Sequence, residues 1–328
     1  MPSKPANPKR FQLSLPATSA NLGPAFDAAA LAMDFYIHLD ARAAKEFSIA
    51  ATGRDREICG NLENHLILNT YREILQAAGH EITPLFLRIK NEIPIGKGCG
   101  SSAAARLAGI ALAVHFGRLR WNHAQIVGEA SRREHHADNA SACWMGGLTV
   151  ARMVEANEIS DQDKFASAEA LVACIRPKGK WPLLLAVPEQ SLLTEDARRV
   201  LPAHYSRADA VTNVQNSMLL LAAFTQGRPD LLSAALQDRI HQPYRAALCP
   251  LLPCLQELNL QDLKGRDGIL GAALSGAGPS VLIFLDPRTP VEKSRRLVAA
   301  HLSRNQLAAE LIPTAITSRG ASSSLIRS

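Results

Sequence analysis

At 328 residues and 35.4 kDa, with 47% apolar and 20% charged side chains, the chain supplies a real core and excludes wholesale disorder. At roughly 100–200 residues per domain, the length suggests two domains or one large one. Thirty-six basic against thirty acidic side chains leave +6, scattered in small clusters at Arg132–Arg133, Arg198–Arg199 and Arg295–Arg296. With aromatics at only 5%, there is no stacking platform, so nucleic-acid binding is not expected and an anionic small molecule fits the charge equally well. No apolar run approaches the ~18 residues of a membrane span. The basic stretch Met1–Arg10 lacks the apolar segment of a secretory signal. The six cysteines (Cys59, Cys99, Cys143, Cys174, Cys249 and Cys254) form no C-x-x-C pair, which points to a reducing, cytoplasmic setting without structural zinc.

In chain order, Phe11–Leu15 alternates like a short strand, and Pro16 is expected to stop it. Leu85–Lys90 alternates again, with Leu85, Leu87 and Ile89 on one face. Ala103 to Phe116 reads as a helix, its apolar positions Ala104, Leu107, Ala108, Ala111 and Leu112 at helical spacing. A strand is expected at Leu148–Val154, and the polar stretch 156–169 is the best boundary, dividing the chain into 1–160 and 161–328. Beyond it come strands Leu171–Ile175 and Pro182–Val187, helices Ala208–Thr225 and Pro229–Ile240, a strand Ser280–Leu285 and a surface helix Pro290–Leu302. Strands and helices do not alternate strictly, which argues for an α+β fold.

The most informative stretch is Pro94-Ile95-Gly96-Lys97-Gly98-Cys99-Gly100-Ser101-Ser102. Alternate glycines let the backbone take positive φ and approach a ligand closely. Ser101 and Ser102 then stand where a helix begins, and its unpaired N–H groups and dipole suit a phosphate. A Walker P-loop fails because Gly98, not Ser or Thr, follows Lys97. A dinucleotide fingerprint fails because its third glycine is missing. Taken alone, the loop could equally be a tight turn capping the helix.

Two further segments add weight. Pro94–Ala104 resembles the nucleotide loop of the GHMP kinase superfamily, which includes galactokinase, homoserine kinase and mevalonate kinase. Pro16-Ala-Thr-Ser-Ala-Asn-Leu-Gly-Pro-Ala-Phe-Asp27 is similar to that superfamily's first motif in its homoserine kinase form, and Leu274-Ser-Gly-Ala-Gly-Pro-Ser280 to its third. Glu134-His-His-Ala-Asp-Asn139 followed by Gly146-Gly147 resembles E-G-H-P-D-N … G-G. Thr194, Arg198, Leu201 and Pro202, with His241-Gln-Pro-Tyr-Arg245, match segments of the homoserine branch.

The resemblance implies a two-domain α+β fold: an N-terminal β-α-β-rich ATP-binding domain and a ferredoxin-like C-terminal domain. It implies ATP and Mg2+ as cofactors, L-homoserine as acceptor in a step towards threonine, and room for a homodimer. By the same resemblance the loop 94–102 and Asn64, near the adenine, bind ATP. Glu134 and the Ser102 hydroxyl hold the metal, with Glu129 as the alternative carboxylate. Arg198 and Arg245 take the substrate carboxylate, because guanidinium forks bind carboxylates bidentately. Asp27 takes the ammonium, Asn21 hydrogen-bonds the substrate, and Thr194 stands near the reacting hydroxyl. Asn139 occupies the position of the catalytic aspartate in mevalonate kinase and cannot accept a proton, which leaves Asp138 as the candidate base. His136 reads as a hydrogen-bonded core or helix-end histidine. Three departures from the family pattern stand out: Ala25 and His135 replace glycines and Cys99 replaces leucine. They leave open a kinase of another small alcohol, or a catalytically weak ligand-binding protein on the same fold.

Overall fold

The computed structural model describes residues 10–154, 170–261 and 268–323. Two sheets organise them. The first has seven strands: β1 (Phe11–Asn21), β2 (Ala25–Ala43), β3 (Ser48–Gly53), β4 (Leu85–Asn91), β5 (Leu148–Met153), β6 (Ala170–Ile175) and, far along the chain, β11 (Ser322–Ser323). The long β2 is the hinge of this sheet. Along its length it pairs with β1; its start, Ala29–Leu31, pairs with β5 and its end, Ile37–Ala43, with β4, all antiparallel, while β3 runs parallel to β4.

The second sheet holds β7 (Pro182–Val187), β8 (Ile269–Leu274), β9 (Val281–Leu285) and β10 (Glu310–Ala315), in the order β10-β7-β9-β8 and antiparallel throughout. Helices connect β7 to β8 and β9 to β10. That is the β-α-β-β-α-β arrangement of a ferredoxin-like domain, as the resemblance implied. Both faces of β7 are buried: Leu183 and Leu185 join the large core, and Leu184 and Ala186 pack with Leu251, Leu255, Val298 and Leu302 of the covering helices.

The helix at Ser101–Gly117 is apolar nearly all round, with buried residues on every face, because it lies between β1 and the helices Leu66–Ala77, His123–Glu134 and Asp138–Met145. A helix in that position has no solvent side to keep polar.

Several local expectations change. Pro16 does not stop β1, which runs on to Asn21. A register shift between Pro16 and Ala17 absorbs the missing N–H. The helical pattern at Pro229–Ile240 reduces to a 3-10 turn Pro229–Leu231 and one turn Leu232–Ala235. Beyond it the carboxylate of Asp238 accepts from the N–H groups of Ile240, His241 and Gln242, starting a separate short helix Gln242–Arg245. The expected strand at Leu148–Val154 ends at Met153. The boundary stretch 156–169 lies outside the described residues. β6 pairs with β5, so the change of sheet falls between Ile175 and Pro182.

Candidate active site

Three segments far apart in sequence, the turn after β1 and two glycine-rich loops, meet at one place. The turn joining β1 to β2 places Asn21, Leu22 and Asp27 at positive φ, and Asn21 holds that turn together. Its Oδ1 accepts from the Asp27 N–H at 2.9 Å, and its Nδ2 donates to the Gly276 carbonyl at 2.8 Å. The Ser275 hydroxyl in turn donates to the Gly98 carbonyl at 2.8 Å. A Cβ on Gly98 would lie 2.1 Å from the Ser275 carbonyl oxygen, so the 94–102 loop and the 274–280 turn touch backbone to backbone.

Gly100 takes an αL conformation (φ 70°) and opens the 17-residue helix Ser101–Gly117 with no side chain capping its first N–H groups. A Cβ there would stand 1.8 Å from Thr18 Oγ1. Gly100→Ala is therefore expected to displace the loop and lower kcat by about 100-fold, about 2.7 kcal/mol in the barrier. Steady-state rates on protein whose melting transition is still cooperative check this.

Around the start of that helix, the Ser102 hydroxyl donates to Glu134 Oε1 at 2.7 Å, and Arg106 forms an ion pair with the same oxygen. Arg106 escaped the sequence reading, although it stands four residues after Ser102, on the same helical face. Glu129 is committed elsewhere, to Arg132 and Arg133, which leaves Glu134 as the carboxylate beside the loop. Asn64, at positive φ, lines a largely apolar cavity of about 620 Å³ together with Ile95, Gly96, Ser101 and Ser102. Pro94 and Lys97 instead line a separate cavity with Glu189 and Glu310, where the Lys97 ammonium donates to the Glu189 carbonyl.

A second, smaller cavity of about 120 Å³ adjoins the loop and is lined by Asp27, Glu134, Asp138, Asn139, Thr194, Arg198 and Arg245 among others. The volume is well below the roughly 300–1,000 Å³ of sites for drug-sized ligands, as suits a small metabolite. Arg198 grips Asp27 with both arms of its fork, at 2.8 and 2.9 Å. Arg245 is fully buried, held by the Ala197 carbonyl at 2.9 Å and by His241 Nδ1 at 3.2 Å. Both guanidinium groups lie within 5.4 Å of the Phe26 ring centre. Burial, followed by repulsion from Arg198, lowers the Arg245 pKa from its ordinary value. An anion near both groups would relieve that repulsion.

Ligand-capable atoms of Asp27, His136 and Asp138 lie within 4.8 Å of one another. Burial opposes charge on His136, yet Asp138, 2.6 Å from its Nδ1, holds the imidazole pKa above the ordinary value. Asp138 itself is buried, its Oδ1 accepting from the Asn139 N–H as well. Thr194 opens the helix Thr194–Arg199 that carries Arg198.

The GHMP kinases N terminal domain family matches residues 65–147. A homoserine kinase from Solibacter usitatus (strain Ellin6076) is 40% identical over 312 residues, covering 94% of this chain and 96% of its own. The chain belongs to the homoserine kinase family. A homoserine kinase from Desulfitobacterium hafniense (strain DSM 10664 / DCB-2) is 33% identical, covering 94% of this chain and 98% of its own. The crystal structure of homoserine kinase from Cytophaga hutchinsonii ATCC 33406 has the same fold, with a TM-score of 0.77 at 21% identity over 98% of this chain and 99% of that one.

The three departures from the homoserine kinase pattern have local explanations. Ala25 is not among the positive-φ residues, so its Cβ is tolerated. His135 does sit at φ 64°, ending the helix His123–Glu134 in an αL conformation where glycine is more comfortable. Cys99 is fully buried beneath the loop, and burial pushes its thiol up to about 12. It is expected to resist alkylation, whereas the exposed Cys174 reacts first. Peptide mapping after brief labelling of the native protein checks this.

Proposed function

We propose that this chain transfers the γ-phosphoryl group of ATP to the side-chain hydroxyl of L-homoserine, with Mg2+, as a cytoplasmic step towards threonine. The observation that carries this reading is the placement of two arginines and an aspartate, suited to an amino acid's carboxylate and ammonium, beside a glycine-rich helix start.

The uncapped N–H groups at Gly100–Ser102 supply donors to phosphate oxygens without moving. The neighbouring cavity at Asn64 has the size and apolar lining for a nucleoside. Ser102 and Glu134 present hard oxygens 2.7 Å apart, the donor chemistry that magnesium prefers. When bound, the metal screens the charge of the transferring group.

On the acceptor side, Asp27 receives the ammonium, and Arg198 and Arg245 receive the carboxylate. The internal Asp27–Arg198 pair is then exchanged for two contacts with a ligand of opposite polarity at each end. Asn21 acts by shaping the turn that presents Asp27, and Thr194 orients the hydroxyl. Asn139 supplies a hydrogen-bond donor. Asp138 is occupied by His136 and by the Asn139 N–H, which suits it to holding that segment more than to accepting the substrate proton. A loose phosphoryl-transfer transition state places little demand on a base, so alignment and charge stabilisation dominate.

A coupled ADP-release assay across homoserine, serine, threonine, mevalonate and galactose tests the reading. Magnesium-dependent turnover is expected with homoserine well above the others; preference for mevalonate or galactose would discard it.

A further inference from the structure

Thr18 lies inside β1, fully buried, and took no part in the site as read from the sequence. Its backbone N–H donates to the Cys99 carbonyl at 3.1 Å, and its hydroxyl donates to Asn139 Oδ1 at 2.6 Å. One residue thus joins the 94–102 loop, through its backbone, to Asn139, through its side chain. We propose that Thr18 is a positioning residue for phosphoryl transfer: by occupying Oδ1 of Asn139, it turns the amide Nδ2 to the donor side of the cleft. The proposal rests on the kinase reading above.

Which end of an amide faces an anion decides whether it attracts or repels it. The oxygen and nitrogen of a primary amide are nearly equal in size, and rotation about the last torsion exchanges them. An oxygen turned towards a phosphoryl group repels it, whereas an N–H attracts it. The Thr18 hydroxyl favours the second arrangement, because it gives Oδ1 a buried partner. Asp138 Oδ1 favours it too, standing 3.4 Å from Nδ2 and unable to donate when ionised. Glycine at position 100 lets this pair sit against the loop: a Cβ there would lie 1.8 Å from Thr18 Oγ1 and 3.2 Å from Asn139 Oδ1. A donor held in advance at a developing charge contributes more than one that must reorient during the reaction.

The test compares Thr18→Val, which keeps the shape and removes the hydroxyl, with Thr18→Ser, which keeps the hydroxyl. Thr18→Val is expected to lower kcat by about 10-fold or more, with KM for ATP and homoserine within about twofold of wild type. Thr18→Ser should restore kcat to within about threefold. In an Asn139→Ala background, adding Thr18→Val should cost less than about twofold more, because the two residues act as one unit. Asn139→Asp supplies an outcome that does not depend on the folding of Thr18→Val. It keeps an acceptor for Thr18 and removes the donor, so it should lose as much kcat as Asn139→Ala. Unchanged kcat in Thr18→Val, an undiminished effect of that change in the Asn139→Ala background, or wild-type kcat in Asn139→Asp would each overturn the proposal while leaving the kinase reading intact. Absence of homoserine-dependent ADP release in the wild type would overturn both.

Discussion

Glu134→Gln is expected to lower kcat by about 100-fold or more and to raise the magnesium concentration needed for half-maximal rate. The substitution keeps an oxygen that can accept from Ser102, at 2.7 Å in the native protein, but removes the charge. Arg106, which pairs with the same carboxylate, is left without its counter-ion. A hundredfold loss corresponds to about 2.7 kcal/mol of transition-state stabilisation, in the range expected when one charged contact to a metal–phosphate assembly is lost. Glu129→Gln is the control. Its carboxylate serves Arg132 and Arg133, so its loss should affect stability more than metal dependence. Rate measured against magnesium concentration at saturating ATP and homoserine separates the two. A magnesium shift in Glu129→Gln and none in Glu134→Gln would move the metal carboxylate to the other residue.

The second large effect concerns the acceptor. Arg198→Lys and Arg245→Lys each keep a positive charge and lose the planar fork, so neither is conservative. Each should raise the KM for homoserine by about tenfold or more, since a hydrogen bond to a charged group contributes roughly 1.5–3 kcal/mol. The KM for ATP should stay within about twofold, because the two guanidinium groups hydrogen-bond to Asp27, the Ala197 carbonyl and His241 rather than to the 94–102 loop. At Arg198 the change also removes the bidentate partner of Asp27, so both ends of the amino acid site are disturbed. Arg245→Lys should in addition lower the melting temperature, because a fully buried side chain loses its bonds to the Ala197 carbonyl and His241. An amino alcohol without a carboxylate should be a poor substrate of the wild type and nearly indifferent to either change. Equal losses for ATP and homoserine would point to impaired folding, and an unchanged homoserine KM in both variants would discard the clamp.

Much of the site was readable in the linear chain because it is built from backbone. Gly96, Gly98 and Gly100 all adopt positive φ, a requirement that glycine meets most readily and that a run of glycines therefore displays openly. Side-chain pairs are different. Nothing in the order of residues indicates that Thr18 meets Asn139, or that Asn21 spends its amide on Asp27 and Gly276. Lys97 stood in the middle of the nucleotide motif, yet its ammonium leaves the cleft for the Glu189 carbonyl.

The sequence by itself determined the α+β class, the glycine-dependent turns and the helix that starts at the loop, because backbone conformation and apolar spacing are local properties. The resemblance of its motifs implied a shared site for Asp27, Arg198 and Arg245. Only the tertiary structure decided the continuation of β1 through Pro16 and the membership of β6 in the first sheet, since both depend on partner strands distant in the chain. The same holds for Arg198 gripping Asp27, Arg106 sharing Glu134 with Ser102, and Thr18 holding Asn139. Each of those contacts selects one partner among several of equal chemistry, and packing alone brings the chosen atoms within bonding distance.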